Sequence, residues 1–385
     1  MVIGPFDLPA LPTLVERYSL LAGAGPLVRL CLEPSEHSSQ WRRRGRDGSS
    51  VIAAANPLAR GDDAALLLPV VRAERTDDVA DGIRIVCAGD HLAIDFCHGL
   101  GEVALVNLVL DVLFGVSDPA DPALIEPYRH RVSPLTRAIA RTFGPDPRRA
   151  AALLRRRGAR TVHADCDDST VPFTPRPTTR AVGLPADVVA DLRRRRDGAL
   201  PGVGLVALCT YALWSSLADV GLAVDDVVKI PFDVRGFLPA GSSTLSSFTA
   251  GLDFDVGATG GPRRLQAEMD RAIRSGRPVA NLAVSALKAS VPQKDSVSAR
   301  PAHPRVRLLH SNVRLGVDGW PFSDPERARL VVASDPVSPE GVTVTSGWLL
   351  DTLWLTAEFH GSVFDEDRIA AALGGVAERM RILTG

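Results

Sequence analysis

The chain has 385 residues, a formal net charge of −1, and ordinary proportions of hydrophobic (45%) and charged (23%) residues. These values indicate a globular protein long enough for two domains or one large domain, and they give no electrostatic reason to expect nucleic-acid binding. No apolar run is long enough to span a membrane, and the first residues lack the basic and apolar segments of a signal peptide. We therefore expect a cytoplasmic protein.

Cysteine and arginine usage narrows the kinds of site that the chain can contain. The five cysteines show neither CxxC pairs nor zinc spacing, so we expect free thiols and no metal site. Positive charge comes almost entirely from arginine, with clusters at residues 42–46, 155–160 and 193–196. Such clusters can bind phosphate groups or an acidic protein, although a solvated surface explains them more simply.

Hydrophobic periodicity predicts mixed strands and helices in the first half of the chain. The predicted segments, in order, are a strand or helix entry (8–21), a strand (27–32), a polar loop (33–50), three strands (64–71, 83–87 and 91–97), a buried helix (103–114), an irregular connection (118–134), an amphipathic helix (147–160) and a Thr-, Asp- and Pro-rich stretch (161–185).

The second half repeats this mixture, which suggests two α/β lobes of similar size. We expect an N-terminal lobe at 1–165, a linker at 166–185 and a C-terminal lobe at 186–385. The predicted segments of the second half are helices (186–195, 203–220, 261–276 and 365–383), strands (227–232, 247–256, 308–316, 329–334, 341–346 and 350–359) and a polar lid or crossover (283–304).

Residues 83–114 are the most distinctive segment. An apolar strand, a tight turn and an alternating strand lead to His98, and an almost wholly apolar helix begins at Val103. Gly99 and Gly101 lie between them, and we expect these glycines to let the backbone turn sharply. A histidine therefore lies where a strand ends and a core helix begins, which is a rigid place for a catalytic base.

The heptapeptide from Cys97 to Val103 (CHGLGEV) resembles the HHxxxDG motif of the chloramphenicol acetyltransferase-like superfamily. This superfamily includes peptide-synthetase condensation domains and both plant-type and polyketide-associated acyltransferases. His98 matches the second histidine of the motif. The other positions depart from it, because Cys97 replaces the first histidine, Glu102 replaces the aspartate and Val103 replaces the final glycine.

Later segments are similar to further motifs of the same superfamily. They are a P-x-D-x-R-x-x-L-P-like segment (229–239), a strand (245–251), an S-N-x-G-like strand (309–316) and the last strand and helix (354–379). The resemblance implies an α/β fold, an α+β two-layer sandwich in which two lobes form a pseudo-dimer with a tunnel between them.

The resemblance also implies a reaction, the transfer of an acyl group from a thioester to a hydroxyl or amine. His98 would be the general base, and an imidazole with an ordinary pKa of about 6.5 suits that task at neutral pH. The donor would be acyl-coenzyme A or a phosphopantetheine-linked acyl carrier protein, used as a co-substrate rather than a bound cofactor. The acceptor would be a small molecule of secondary metabolism or lipid synthesis. A structural histidine at a strand end is the alternative interpretation.

Two further residues carry a structural role by resemblance. Glu102 stands in for an aspartate that pairs with an arginine, and Arg235 is the expected partner because a guanidinium binds a carboxylate well. A carboxylate that simply favours the start of a helix is the alternative for Glu102.

Hydroxyl and amide side chains complete the candidate site. Ser246, Ser247 and Thr249 are candidates for an oxyanion hydroxyl, and Asn312 is a candidate for the tunnel lining. Ordinary strand polarity is the simpler explanation for any single hydroxyl, and a turn-forming asparagine explains Asn312 equally well.

Two other functions stay open from the sequence. A condensation-type enzyme would form an amide, or close a ring, with substrates bound to carrier proteins. A catalytically silent module that binds a carrier protein is the second alternative, because Cys97 and Glu102 depart from the motif. In every case we expect a monomer that binds a small-molecule acceptor or a carrier protein, with no nucleic-acid partner and no membrane span.

Overall fold

The computed structural model describes residues 1–34, 41–43, 48–59, 61–73, 82–156, 169–257, 260–288 and 298–385. Within these ranges, no helix combines the length and the apolar content that crossing a membrane requires. The strands are β1 (Val2–Gly4), β2 (Leu32–Glu33), β3 (Arg42–Arg43), β4 (Ile52–Ala55), β5 (Ile83–Ala88), β6 (His91–Phe96), β7 (Thr170–Pro172), β8 (Pro177–Leu184), β9 (Val227–Asp233), β10 (Thr249–Asp255), β11 (Ala299–Pro301), β12 (Arg307–Arg314), β13 (Arg329–Val331), β14 (Gly341–Leu349) and β15 (Thr352–His360). The helices are α1 (Leu11–Gly23), α2 (Leu67–Ala73), α3 (Val103–Phe114), α4 (Pro134–Phe143), α5 (Pro147–Arg156), α6 (Ala186–Ala199), α7 (Leu205–Asp219), α8 (Gly261–Arg274), α9 (Arg277–Lys288) and α10 (Glu366–Thr384).

The chain folds into two compact units, and each unit is assembled from separate segments. This division differs from the predicted linear one (1–165, 166–185 and 186–385), because parts of the C-terminal half belong to the first unit. The first unit comprises Met1–Arg141, Val234–Phe248 and Arg314–Val331, and the second comprises Thr142–Asp233, Thr249–Val313 and Val332–Gly385.

The first unit contains a five-stranded sheet with the order β13-β1-β6-β5-β4. Strands β5 and β6 form the predicted hairpin, in which Ile83 lies opposite Phe96 and Ala88 lies opposite His91. Strand β4 runs parallel to β5, whereas β1 is antiparallel to both β6 and β13. Because β6 is a central strand, the turn that follows it begins from a rigid part of the sheet.

Helix α3 leaves this turn and is buried along most of its length. Its C-terminal end is fixed by polar and aromatic contacts, because the Trp320 indole nitrogen donates to Asp111 Oδ1 at 2.7 Å and Phe114 packs edge-on against the Trp320 ring. Gly115 ends the helix in the left-handed region (φ 78°), where a glycine is favoured. The C-terminal end of α3 is therefore held in place, and its buried length supports the preceding turn.

The second unit contains a six-stranded sheet with the order β10-β9-β12-β14-β15-β8. Apolar side chains from one face of this sheet pack with those of helices α6, α7, α8 and α10. Val228, Val344 and Leu355 come from the strands, while Leu213 and Val376 come from helices, and all five are almost fully buried. This layer of helices on a sheet is the main core of the second unit.

Several predicted elements differ from the observed ones. The predicted strand 64–71 is a short 3₁₀ turn followed by helix α2, because a short apolar run does not distinguish a buried strand from a buried helix. Strand β8 lies inside the predicted linker and pairs with β15 over its whole length. Helix α9 begins before the region predicted as a polar lid (283–304) and covers its first residues. Helix α4 was not predicted.

Candidate active site

The candidate catalytic residue His98 lies on an exposed turn between β6 and α3. The turn is closed by two backbone hydrogen bonds, from the Cys97 N–H to the Gly82 carbonyl and from the Leu100 N–H to the Cys97 carbonyl, both 2.8 Å long. The Leu100 side chain is fully buried below the turn. His98 is therefore presented to solvent on a backbone that is anchored from the core side.

The glycines of this turn are needed for space rather than for an unusual backbone conformation. The backbone turns sharply at these residues, but neither Gly99 nor Gly101 has a φ angle in the left-handed region. A Cβ atom on Gly101 would lie 2.5 Å from the Leu245 carbonyl oxygen, and a Cβ on Gly99 would lie 2.9 Å from the Trp41 ring. Side chains at either position would push the turn away from its neighbours.

Arg29 and Trp41 hold the turn from a distant part of the sequence. The Arg29 guanidinium donates through Nε to the Leu100 carbonyl and through Nη2 to the Gly99 carbonyl, the latter at 3.0 Å. The same guanidinium lies over the Trp41 ring, with 5.3 Å from its carbon to the ring centroid. A cation over an aromatic face is attracted by the ring electrons, so each residue stabilises the position of the other.

Glu102 closes the C-terminal side of the turn and pairs with Arg235. Arg235 Nη1 lies 2.9 Å from Glu102 Oε2, and both side chains are largely buried, at 13% and 11% exposure. Ser247 Oγ donates to the other carboxylate oxygen at 2.8 Å. The contact that the resemblance implies is therefore present, and its structural role stays a prediction. Because both carboxylate oxygens accept hydrogen bonds, Glu102 is well suited to fixing the backbone beside His98.

The loop 234–248 is organised around the same guanidinium. Arg235 Nε donates to the Thr244 carbonyl at 2.8 Å, and Arg235 Nη2 donates to the Ser246 carbonyl at 2.7 Å. The hydroxyls of Thr244 and Ser246 lie 2.8 Å apart and share a hydrogen bond. One arginine thus binds two backbone carbonyls of its own loop and the carboxylate at the start of α3.

Burial and charge set the protonation of two groups around this ion pair. Burial raises the pKa of Tyr128, while the positive charge of Arg235 lowers it and the negative charge of Asp111 raises it. Burial also lowers the pKa of Arg29 from its ordinary value, but a guanidinium stays charged in proteins. At neutral pH, a neutral phenol and a second cation therefore accompany the Glu102–Arg235 pair.

The remaining candidates are distributed between the two units. Ser246 and Ser247 belong to the first unit with His98, and the Ser247 hydroxyl uses its single proton in the contact with Glu102. Thr249 opens strand β10 and Asn312 lies on β12, and both belong to the second unit. Asn312 Oδ1 accepts from Ser346 Oγ at 3.1 Å.

The arginine clusters give little indication of a phosphate site. In the cluster at 193–196, Arg193 lies over the Trp348 ring, Arg194 and Arg195 contact Asp191, and Arg196 contacts Asp197. These contacts fit a solvated helix surface. Arg42 and Arg43 form the exposed strand β3, whereas residues 44–46 and 157–160 of the other clusters lie outside the described residues.

This arrangement combines one exposed imidazole with a turn that is held in place on every side. An imidazole at such a position can take a proton from a bound hydroxyl or amine and return it to a leaving group. Sequence reasoning missed Arg29 and Trp41, since no local pattern links either residue to the turn; Arg29, for example, lies 70 residues from Gly99. In the structure, the backbone of Arg29 is unusual. Its φ of 65° lies in the left-handed region, which is uncommon for a residue other than glycine.

Comparisons with known proteins connect this chain to solved structures only. No protein-family model and no curated protein sequence matches it. The epimerization domain from the third module of tyrocidine synthetase B is 12% identical with a TM-score of 0.61, and the match covers 100% of this chain and 92% of that chain. The trichothecene 15-O-acetyltransferase from Fusarium sporotrichioides is 13% identical with a TM-score of 0.63, and the match covers 100% of this chain and 90% of that chain.

A third similar structure is the cyclization-docking bidomain of a nonribosomal peptide synthetase from Sorangium cellulosum. It is 15% identical with a TM-score of 0.65, and the match covers 100% of this chain and 78% of that chain. At these identities the likeness shows a shared fold. The fold class predicted from the sequence, a mixed fold of helices and sheets, is therefore confirmed.

Proposed function

We propose that this protein is an acyltransferase that moves an acyl group from a thioester donor to a hydroxyl or amine of a small molecule. The observation that carries the proposal is the exposed His98 on a turn fixed by Arg29 and by the Glu102–Arg235 pair, in a chain with the chloramphenicol acetyltransferase-like fold. The donor is acyl-coenzyme A or an acyl group on a carrier protein, and the acceptor belongs to secondary metabolism or lipid synthesis.

The proposed reaction needs one base and no covalent intermediate on the protein. A neutral His98 nitrogen takes the proton of the acceptor as its oxygen or nitrogen attacks the thioester carbonyl carbon. The tetrahedral intermediate then collapses, the carbon–sulfur bond breaks, and the departing thiolate receives the proton from the imidazolium. A general base of this kind contributes about a hundredfold to ten-thousandfold to the rate.

A second candidate function is condensation, in which the acceptor amine or the closing ring is itself carried by a carrier protein. One of the similar structures is an epimerization domain of tyrocidine synthetase B, and another is a cyclization-docking bidomain of a nonribosomal peptide synthetase. The replacement of the first motif histidine by Cys97 and of the aspartate by Glu102 favours a third possibility, a silent module that binds a carrier protein.

The experiment is incubation of the purified chain with a panel of acyl thioesters and candidate alcohols or amines, read by mass spectrometry of the products. We expect transfer by the native chain and loss of transfer in His98→Ala. The matched control is His303→Ala, because His303 is also an exposed histidine but lies in the second unit. Undiminished turnover by His98→Ala would exclude the base assignment.

The choice of donor separates the three functions. Use of free acyl-coenzyme A supports the first proposal, whereas transfer only between carrier-bound partners supports condensation. Tight binding to a carrier protein in calorimetry, with no turnover of any thioester, supports the silent module.

A further inference from the structure

The loop 234–248 is held by a second set of hydrogen bonds, which come from the segment before helix α4. The backbone N–H of Ser243 donates to the Pro127 carbonyl at 2.8 Å. The carbonyl oxygen of Ser243 lies 2.6 Å from Nε2 of His130, a residue 113 positions earlier in the chain. Both backbone groups of Ser243 are therefore bound by residues 127–130, within the first unit.

A guanidinium fixes which nitrogen of His130 carries the hydrogen. Nη1 of Arg137, on helix α4, lies 3.0 Å from Nδ1 of His130. A guanidinium only donates hydrogen bonds, so Nδ1 must be the accepting nitrogen of a neutral ring. Nε2 then carries the hydrogen and donates it to the Ser243 carbonyl, which only accepts. The Nε2–H tautomer alone satisfies both contacts, because the other tautomer and the charged ring place a hydrogen on Nδ1.

The next residues of the loop contact the turn between β6 and α3. A Cβ atom on Gly101 would lie 2.5 Å from the Leu245 carbonyl oxygen, so the loop packs directly against the turn. Ser247 Oγ donates to one oxygen of Glu102, and Arg235 binds the other oxygen of the same carboxylate. The position of the loop therefore affects every group that holds this side of the turn.

We propose that His130 and Arg137 are positioning residues for acyl transfer, which hold Ser243 so that the loop 234–248 keeps the His98 turn in its reactive arrangement. This inference rests on the proposed function, because it concerns the base of that reaction. His130 acts through Ser243 and needs no contact with either substrate.

The physical reason for the second residue is that a free imidazole can carry its hydrogen on either nitrogen. In one of these two forms a lone pair of His130 would face the Ser243 carbonyl, and the loop would lose its restraint. Arg137 removes that choice, because its guanidinium stays charged and only donates. Catalysis is sensitive to such a restraint, since a misplacement of about 1 Å caused far from the chemistry can cost about a hundredfold in rate.

The test compares His130→Leu with His130→Gln. Leucine removes both contacts, while glutamine can donate its amide hydrogen to Ser243 and accept from Arg137 through its oxygen. We expect His130→Leu to lower kcat about tenfold with little change in the KM of the thioester, because it displaces the base and leaves substrate contacts unchanged. His130→Gln should restore kcat.

Two further variants separate this role from a general loss of positive charge on α4. Combining Arg137→Met with His130→Leu should be no worse than His130→Leu alone, because both changes act through the same hydrogen bond to Ser243. The matched control is Arg141→Met, since Arg141 is an exposed arginine one helical turn after Arg137. This control should leave kcat unchanged.

Two measurements do not depend on turnover. In protein labelled with a nitrogen isotope at histidine, the ring signals report the tautomer, and we expect the Nε2–H form at His130 in the native chain and a mixture of forms in Arg137→Met. Hydrogen exchange of the peptide that contains Leu245, read by mass spectrometry, should be faster in His130→Leu than in the native chain and in His130→Gln.

Three results would overturn the proposal. They are a native kcat in His130→Leu, a kcat of His130→Gln as low as that of His130→Leu, and a dominant Nδ1–H tautomer at His130 in the native chain. Persistent turnover by His98→Ala would instead contradict the proposed function. In that case the hydrogen-exchange comparison still decides whether His130 holds the loop.

Discussion

Arg235 Nη1 lies 2.9 Å from Glu102 Oε2, and this single ion pair joins the first residue before helix α3 to the loop 234–248. The other guanidinium nitrogens bind the carbonyls of Thr244 and Ser246. A glutamate reaches one methylene further than the aspartate of the motif, and here it binds both the arginine and the Ser247 hydroxyl. The longer side chain thus keeps the ion pair while it adds a second contact.

Removing either partner of this pair should destabilise the first unit. In Glu102→Ala the Arg235 charge stays largely buried without its carboxylate, and breaking a buried pair in this way costs about 3 kcal/mol of unfolding free energy. We expect a lower midpoint in thermal unfolding followed by circular dichroism. Glu102→Asp should retain the ion pair or the Ser247 contact but not both, and its midpoint should lie between those of Glu102→Ala and the native chain.

The control for this prediction is an ion pair on the surface. Arg264 and Glu268 lie one helical turn apart on α8 at a distance of 3.1 Å, and their side chains are 45% and 24% exposed, well above those of the Glu102–Arg235 pair. Exposed pairs of this kind contribute about 0.5 kcal/mol or less, so Glu268→Ala should leave the midpoint almost unchanged. Equal midpoints for Glu102→Ala and Glu268→Ala would mean that the Glu102 pair has no structural role.

The hairpin and helix around His98 could be predicted because their signals are local. Alternation from His91 to Phe96 specifies one strand of a sheet, and the apolar run from Val103 to Phe114 is too long for a strand and fits a buried helix. The pairing of Glu102 with Arg235 is a long-range contact, and only the resemblance to a known family suggested it. Physical reasoning from composition alone would not have joined residues so far apart.

Other parts of the site and fold have no local signal. Arg29 reaches the carbonyls of Gly99 and Leu100, but nothing near Arg29 in the sequence marks that contact. The threonines and proline of strand β8 are typical of loops and predict a linker, yet the strand pairs with β15 at the edge of a sheet. Its propensity is outweighed by tertiary pairing, which a single sequence does not reveal.

Loss of the Arg29 side chain should loosen the turn that carries His98. In Arg29→Met the Gly99 and Leu100 carbonyls lose their donors and Trp41 loses the cation above its ring. We expect faster hydrogen exchange in the peptide that contains Leu100, measured by mass spectrometry, together with a lower kcat for acyl transfer. Arg29→Lys keeps the charge but cannot bind both carbonyls in the same way, so it should restore only part of the protection.

Arg43 provides the control for Arg29. It is an exposed arginine on β3, in the same part of the chain as Trp41. Arg43→Met should leave both the exchange rate and kcat unchanged. If Arg29→Met also leaves the exchange of the Leu100 peptide unchanged, the two hydrogen bonds do not hold the turn.

Cys97 should be the first of the described cysteines to react with an alkylating reagent. It is exposed, whereas Cys31 and Cys209 are buried and Cys87 is half-buried. Burial also raises the pKa of Cys87 to about 11 and that of Cys209 to about 12, so both thiols stay protonated and unreactive at a pH of about 8. Peptide mapping after a brief iodoacetamide treatment should find the adduct on Cys97.

Alkylation of Cys97 should also stop acyl transfer, because the adduct lies directly beside His98. A saturating acyl thioester should slow the inactivation if it occupies the same surface. Cys97→Ser cannot be alkylated at this position, so its activity should no longer fall on treatment. Inactivation of Cys97→Ser at the native rate would place the sensitive thiol elsewhere.

The buried His310 should make the stability of the second unit depend on pH. Burial holds the pKa of His310 at about 4 in the folded protein, below its ordinary value of 6.5. Between these values the unfolded chain binds a proton that the folded chain does not, so the free energy of unfolding decreases as the pH falls from 6.5 to 4. The lowered pKa of His310 corresponds to a loss of about 3 kcal/mol of unfolding free energy over this range. Below the folded pKa, the His310 contribution to the unfolding free energy no longer changes with pH.

The measurement is urea unfolding at a series of pH values in the native chain and in His310→Gln. Glutamine can offer a donor and an acceptor to Ser346 and Thr210 but does not titrate in this range. The difference in unfolding free energy between the two proteins should therefore narrow steadily as the pH falls. His360, whose pKa is also lowered, chiefly by burial, is present in both proteins, so its contribution cancels in the comparison. A difference that stays constant over this range would contradict the prediction. It would mean that His310 has the same pKa in the folded and the unfolded chain, despite its complete burial in the fold.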